Sequence, residues 1–478
     1  MNIRQKIEKL DLTWQKVLPI VLVFGVLVYL MVERIQYVLG ASANVPMMDY
    51  WRYIVEFLEP LFEEGSVWEV YGKPQAGASH RNGGLTALFF LINAKYFGLN
   101  TQIEIVLGAV GTFIDCCFLF YVFMKKTPFK RKWLNCGFIL MAFALFNINQ
   151  WEILTLEFAF SFSIRTLLIL WSCHYFDSMH LQNKKKISII FFVVAMYFVV
   201  TTLGSYGPGL VGAFVFVSMV QLIVNKENRK RTSIQNGLVI LVMLIGLLAF
   251  FTGLSSGSGG NPANSLFNMI KDGRMVRAFF LMLGSSIMHI EDATATEPIR
   301  RLMILGIILF ILYMLALFLY FRRKMYEKTY MPLALMAYTA CIILVISYGR
   351  IPMFGVNYVI SSRYVCDTTI GLAGMLWIFL YELDNVSWYK EKIWAVVKGT
   401  TCVFAMLYLV LCLRYSYKIE MGIAPYRKMY CESLIRTIQN NEVLTDSQAA
   451  PFQSDTALVN KGLELMRKYH LGIFKEQN

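Results

Sequence analysis

Apolar residues in this chain arrive in blocks long enough to cross a lipid bilayer, and the blocks are parted by short loops that carry the charge. The run from Val17 to Val32 and the run from Gly237 to Gly253 are two of them. In hydrocarbon a backbone must satisfy its own N–H and C=O groups, and about 20 apolar residues make one helical crossing. A series of such blocks therefore implies an all-α, multi-pass integral membrane protein. Composition agrees: 57% of the 478 residues are apolar and 16% charged, against about 45–50% and about 25% in soluble domains.

The 45 Lys and Arg outnumber the 31 Asp and Glu, for a net charge of +14. In a soluble chain this would raise the question of nucleic acid. Here the excess sits beside apolar spans, as in Lys125, Lys126, Lys130, Arg131 and Lys132, where retention of cytoplasmic loops accounts for it. No nucleic-acid partner is expected; the lipid bilayer is. The nine Cys form no CxxC pair, and Cys116, Cys117, Cys341 and Cys402 lie inside apolar runs, so they read as small buried hydrophobes.

Cations at Arg4, Lys6, Lys9 and Lys16 put the N-terminus in the cytoplasm, with the first run leading outward as an uncleaved span. A long acidic loop follows, from about residue 33 to 101. Within it Trp51, Ile54, Val55, Leu58, Leu61 and Phe62 recur at helical spacing opposite Arg52, Glu56, Glu59 and Glu63. That is an amphipathic helix suited to the membrane interface, kinked or split at Pro60. The short run Gly84 to Leu99 holds Asn93 and Lys95 and is expected to lie on the outer leaflet. A span there would carry the Lys125 cluster to the wrong side. Basic clusters then fall in five successive cytoplasmic loops: Lys125–Lys132, Lys184–Lys186, Lys226 with Arg229–Arg231, Arg322–Lys328, and Lys390 with Lys392. The register gives roughly eleven transmembrane helices over residues 1–413. Residues 414–478 read as a small, partly helical polar region on the extracytoplasmic side.

Charged groups beside spans are functional candidates. Asp49, in Pro46-Met47-Met48-Asp49-Tyr50-Trp51, opens the amphipathic helix and is either its N-cap or a chemical group. His80-Arg81 precedes the interfacial run and reads as a headgroup anchor or a functional pair. Gln150-Trp151-Glu152 ends one span. Glu157 and Arg165, two helical turns apart, are a candidate buried ion pair. Arg350, Tyr358, Arg363 and Tyr364 combine guanidinium forks with aromatics, which suits phosphate or headgroup snorkelling. The Ser255–Gly260 stretch with Lys271, Arg274 and Arg277 reads as a basic flap or as a linker with an interfacial helix.

In their order and sidedness these features resemble the GT-C superfamily of membrane glycosyltransferases, which take sugar from a polyprenyl-phosphate carrier outside the membrane. The matching features are the uncleaved first span, Asp49 near the start of a large first loop, the helix from Tyr50 to Glu64, and His80-Arg81 before a juxtamembrane helix. Gln150-Trp151-Glu152 and the Arg363-Tyr364 pair complete the match, which covers about 410 residues. The family often has Glu before its His-Arg pair where this chain has Ser79. The resemblance implies an inverting, undecaprenyl-phosphate-sugar-dependent transferase of the plasma or inner membrane, with its active site outside. Its acceptor would be a cell-wall polysaccharide, teichoic acid, O-antigen or other envelope glycan or glycolipid. Asp49 would be the general base. Arg363, Arg350, Arg81 and His80 would bind the donor phosphate, and Glu152, Trp151, Trp51, Tyr364 and Tyr358 the sugar or acceptor. No cofactor and no metal ligand set is expected, since the tight Asp-Asp or Asp-Glu pairing of metal-dependent members is missing from the first loop; a divalent cation stays open. A polysaccharide polymerase or ligase, and a transporter or lipid flippase, are the competing readings.

Overall fold

The computed structural model describes residues 3–73, 84–181, 186–224, 229–252, 265–288, 296–385 and 392–475; they are helical, with no β-strand among them. Nine helical segments among the described residues are long and apolar enough to cross a membrane. They begin with Val17–Ala41, Thr101–Lys126 and Lys132–Thr155 and end with Ser362–Asn385 and Gly399–Asn440. One of the nine, Ile187–Val224, is two helices, Lys186–Leu203 and Gly207–Val224, joined at the 3-10 turn Gly204–Tyr206. A further 23-residue helix, Ala159–Leu181, carries Arg165 and Asp177 and is less apolar, yet it packs along Thr101–Lys126. Small residues make that approach possible: a Cβ added at Gly108 would stand 2.7 Å from the Ala159 carbonyl carbon.

One end of the bundle is locked by ionic contacts. Lys126 meets Asp177 at 2.9 Å, and Asp177 also accepts from the Thr329 hydroxyl at 2.8 Å and the Tyr330 N–H at 2.7 Å. Arg323 forks onto Glu382 at 2.6 and 2.8 Å, and Asp384 accepts the N–H groups of Lys130 and Arg131. Two of the basic clusters thus share one end.

The first loop and the C-terminal segment share a second hydrophobic core. The helix Tyr50–Glu59 passes at Pro60 into the π-helical turn Pro60–Glu64. Its apolar residues do not face lipid: Tyr50, Trp51, Tyr53, Ile54 and Leu58 are wholly buried in protein. The short helix Gly84–Ile92 brings Phe90 against Tyr50 and Tyr53, with ring centroids 5.1 and 5.8 Å away. From the other side Phe452 meets the Trp51 ring edge-on at 5.6 Å, and a Cβ on Gly462 would fall 2.7 Å from Trp51. The Met48 N–H donates to Phe452 O at 2.9 Å, and the Gly472 N–H to Gly98 O at 2.8 Å. What covers the amphipathic face is the chain's own C-terminus, because that segment has an apolar stripe of its own in Val459, Leu463 and Met466.

The helix Lys392–Asn440 delivers that segment. It runs 49 residues without a break, about 70 Å at ~1.5 Å per residue, more than twice the ~30 Å hydrocarbon thickness. Glu420 ties it to the first span by accepting the Tyr37 hydroxyl at 3.2 Å, and Arg427, on the same helix, pairs with that carboxylate at 2.9 Å. The C-terminal segment and the first loop therefore lie on the same side of the bundle.

Candidate functional site

Three segments far apart in sequence converge where the bundle meets this second core. Lys132–Gly137 and Phe138–Leu145 lead into the turn Ile148–Gln150 and the short helix Trp151–Thr155. The turn is held by its own side chains: Asn147 Oδ1 accepts the Asn149 N–H at 3.0 Å while Asn147 Nδ2 donates to Ser286 O at 3.0 Å. This presents Glu152 toward the 3-10 turn Ser362–Tyr364, where its carboxylate pairs with Arg363 and accepts the hydroxyls of Ser361 at 2.7 Å and Ser362 at 3.3 Å. Ser362 Oγ in turn accepts the Glu152 N–H at 3.1 Å. Glu152 is 7% exposed and Arg363 26%, so the pair opens on one side, the guanidinium side.

The first loop closes the cluster. Arg363 also reaches Met48 Sδ at 4.0 Å, and its guanidinium lies 5.8 Å from the Tyr358 ring centroid. Met48 holds φ +50°, a conformation uncommon for a side-chain-bearing residue. The bond from the Met47 N–H to Glu157 Oε1, 2.7 Å, secures the turn. Asp49 follows at the N-cap position of Tyr50–Glu59, but its side chain makes no cap bond. The carboxylate is exposed and has no hydrogen bond or ion pair among the described residues.

The other expected residues fall in three groups. Tyr364 is 2% exposed, its hydroxyl has no partner among the described residues, and it lies within electrostatic reach of both Arg350 and Arg363. Arg350 is half-buried and forms no ion pair among the described residues. Tyr358 stacks on Phe354 at 4.3 Å. Trp151 adjoins the cluster, but one face of its ring is covered by the Arg427 guanidinium at 3.6 Å. Trp51 stands apart in the core beneath the C-terminal segment. His80 and Arg81 lie outside the described residues, as does the Ser255–Gly260 stretch. Of the basic flap residues, Arg274 pairs with Asp272 at 2.6 Å and Arg277 donates to Asn357 at 3.2 Å.

The anticipated Glu157–Arg165 pair does not form. Arg165 instead binds both oxygens of Asp367, at 3.1 and 3.0 Å, clamped between the rings of Phe162 at 4.0 Å and Tyr206 at 3.8 Å. Tyr338 donates its hydroxyl to the same carboxylate at 2.8 Å. Glu157 turns to the first loop because its backbone precedes the helix that carries Arg165. Its burial pushes its carboxyl well above the usual range, and Oε2 has no partner. Asp367 and the serines at 361 and 362 carried no distinctive sequence signal, since their partners are about 200 residues away.

Among the described residues no three His, Cys, Asp or Glu side chains converge as a metal site. No family model, no curated protein and no solved structure matches this chain.

Proposed function

We propose that the protein is a polytopic membrane glycosyltransferase of GT-C type, moving a sugar from a polyprenyl-phosphate carrier to an envelope glycan or glycolipid outside the cell. On this reading eleven helices span the cell membrane: the nine apolar segments, with Ile187–Val224 counted as two, and Ala159–Leu181. The observation that carries it is the meeting of Met48, Glu152 and Arg363, which draws together three of the four segments that the sequence reading puts outside, beside the exposed Asp49.

An acceptor hydroxyl is a poor nucleophile until a base takes its proton. Asp49, unpartnered and exposed, takes that proton as the acceptor oxygen bonds to the anomeric carbon. The bond from that carbon to the phosphate oxygen breaks in the same displacement, inverting the centre. Charge developing on the leaving phosphate needs fixed cations and donors. Among the described residues Arg350 has no carboxylate partner and the Tyr364 hydroxyl no hydrogen bond, so both are assigned to it. Arg363 is already neutralised by Glu152, which suits it to orienting the sugar at the rim.

The test compares envelope glycans of cells making the native chain or Asp49→Asn at matched levels. Loss of one sugar with accumulation of its lipid-phosphate donor supports the reading; unchanged composition overturns it. Transport is the second reading, favoured by charged groups deep in the bundle at Arg34 and Asp115.

A further inference from the structure

Near the Glu152–Arg363 cluster the bundle holds a partly open cavity of about 30 Å³, room for a water-sized body, whose lining includes Thr112, Asp115, Gln150, Ser163, Thr166 and Thr369. Asp115 is fourteen residues into its helix from Thr101, roughly 20 Å along the axis.

The hydroxyl groups here share one property: their protons are spent. Thr112 gives its hydroxyl proton to Gly108 O at 3.1 Å, Ser163 to Phe160 O at 2.8 Å, Thr166 to Phe162 O at 3.1 Å and Thr369 to Cys366 O at 3.1 Å. Gln150 gives an amide N–H to Leu145 O at 3.1 Å. Cys366, also in the lining, points its thiol at Arg363 O at 3.4 Å. What remains for the cavity is oxygen lone pairs, a carboxylate and the second N–H of Gln150. Asp115 is 3% exposed, and its Oδ1 has no hydrogen-bond partner.

The charge that acts on Asp115 from a neighbouring helix is Arg34. Arg34 forms no ion pair with it. The guanidinium instead donates to the carbonyls of Leu145 and Asn147, both at 3.4 Å, and lies 5.2 Å from the Phe146 ring centroid. The next ionic groups, Arg165 and Asp367, neutralise each other. Hydroxyl lone pairs turned to the cavity beside a single carboxylate suit a guest that is positive and small.

We infer that this cavity is a binding site for one monovalent cation, a sodium ion or a proton, held by Asp115. Sodium would sit among the carboxylate and hydroxyl oxygens. A proton would reside on Asp115 itself, which then donates to one of those oxygens. The inference holds for a transferase or a transporter alike.

The test follows thermal unfolding of the purified full-length protein in detergent. Sodium chloride is exchanged for choline chloride at constant ionic strength across a range of pH. A Glu104→Gln, Glu157→Gln background removes two other buried acids, one on the helix of Asp115 and one below the first loop, from the pH response. For sodium, Tm rises saturably by several degrees, and Asp115→Asn abolishes the rise. For a proton, Tm ignores sodium but falls in one step as pH rises, and Asp115→Asn abolishes the step. Arg34→Gln, by removing a competing charge, moves the half-effect to about tenfold lower cation concentration. Should Asp115→Asn fail to fold, Thr112→Val with Thr166→Val must weaken whichever response the parent shows. A parent indifferent to both sodium and pH, or responses that survive these substitutions, overturn the inference and leave the cavity to water.

Discussion

Glu157 reaches back across 110 residues to accept the backbone N–H of Met47 at 2.7 Å, one residue before the positive-φ Met48 and two before Asp49. Glu157→Gln keeps an acceptor there, whereas Glu157→Leu leaves a buried N–H unpaired. The leucine variant is expected to lose about 1–3 kcal/mol, read as a fall in Tm, with the glutamine variant closer to wild type.

The same residue sets a pH dependence. Burial raises the folded pKa of Glu157 above its unfolded value, so the folded state holds the proton more tightly. Its contribution to stability is complete below the unfolded value of about 4.3 and declines as pH rises from there toward the folded pKa. Tm against pH should therefore fall through that window in wild type and fall less steeply in Glu157→Gln. Equal slopes would show that Glu157 does not titrate differently on folding.

Arg165 and Asp367 form a buried pair whose members have no other counter-charge in direct contact. Removing one partner strands the other, and Asp367→Ala or Arg165→Ala should each cost about 3–5 kcal/mol. The double replacement should cost much less than the sum of the two. Additive losses in thermal unfolding would refute the coupling.

Trp51 separates a binding role from a packing role. Buried beneath Phe452 and Gly462, it should cost about 3–5 kcal/mol on change to Ala and free the segment after Asn440 to protease. Trp51→Phe should be much milder. The exposed Lys468–Glu63 pair should matter little beside it, so Lys468→Ala should leave protease resistance unchanged.

For the transfer reaction, Arg350→Gln should lower kcat by about 10²–10³-fold with a smaller change in acceptor KM. Glu152→Gln, which unpairs Arg363 from its carboxylate, should instead raise the KM for donor. Membranes given a polyprenyl-phosphate sugar and acceptor would read both, and an unaltered Arg350→Gln would remove that residue from the phosphate site.

Much of the architecture was legible in the sequence. Span lengths follow from bilayer thickness, and the break at Pro60 follows from a ring that cannot donate a hydrogen bond. The apolar stripe around Trp51 is buried, though in protein and not at the membrane interface the sequence suggested. Periodicity tells which face of a helix is buried but not what buries it, and here the cover comes from about 400 residues downstream. The Glu157–Arg165 expectation failed for the same reason: both lie on one stretch of chain, and each found a stronger partner on another.

The sequence by itself determined that this chain is helical and multi-pass, because hydrocarbon leaves the backbone almost no alternative and most apolar blocks are long enough to cross. Only the tertiary structure decided that Glu152 meets Arg363, that Asp367 meets Arg165, and that Asp115 faces a cavity of lone pairs. Those contacts depend on which helix lies beside which. Lateral packing in lipid is set by the fit of small residues such as Gly108 against Ala159, summed over many weak contacts, and no local pattern records that sum.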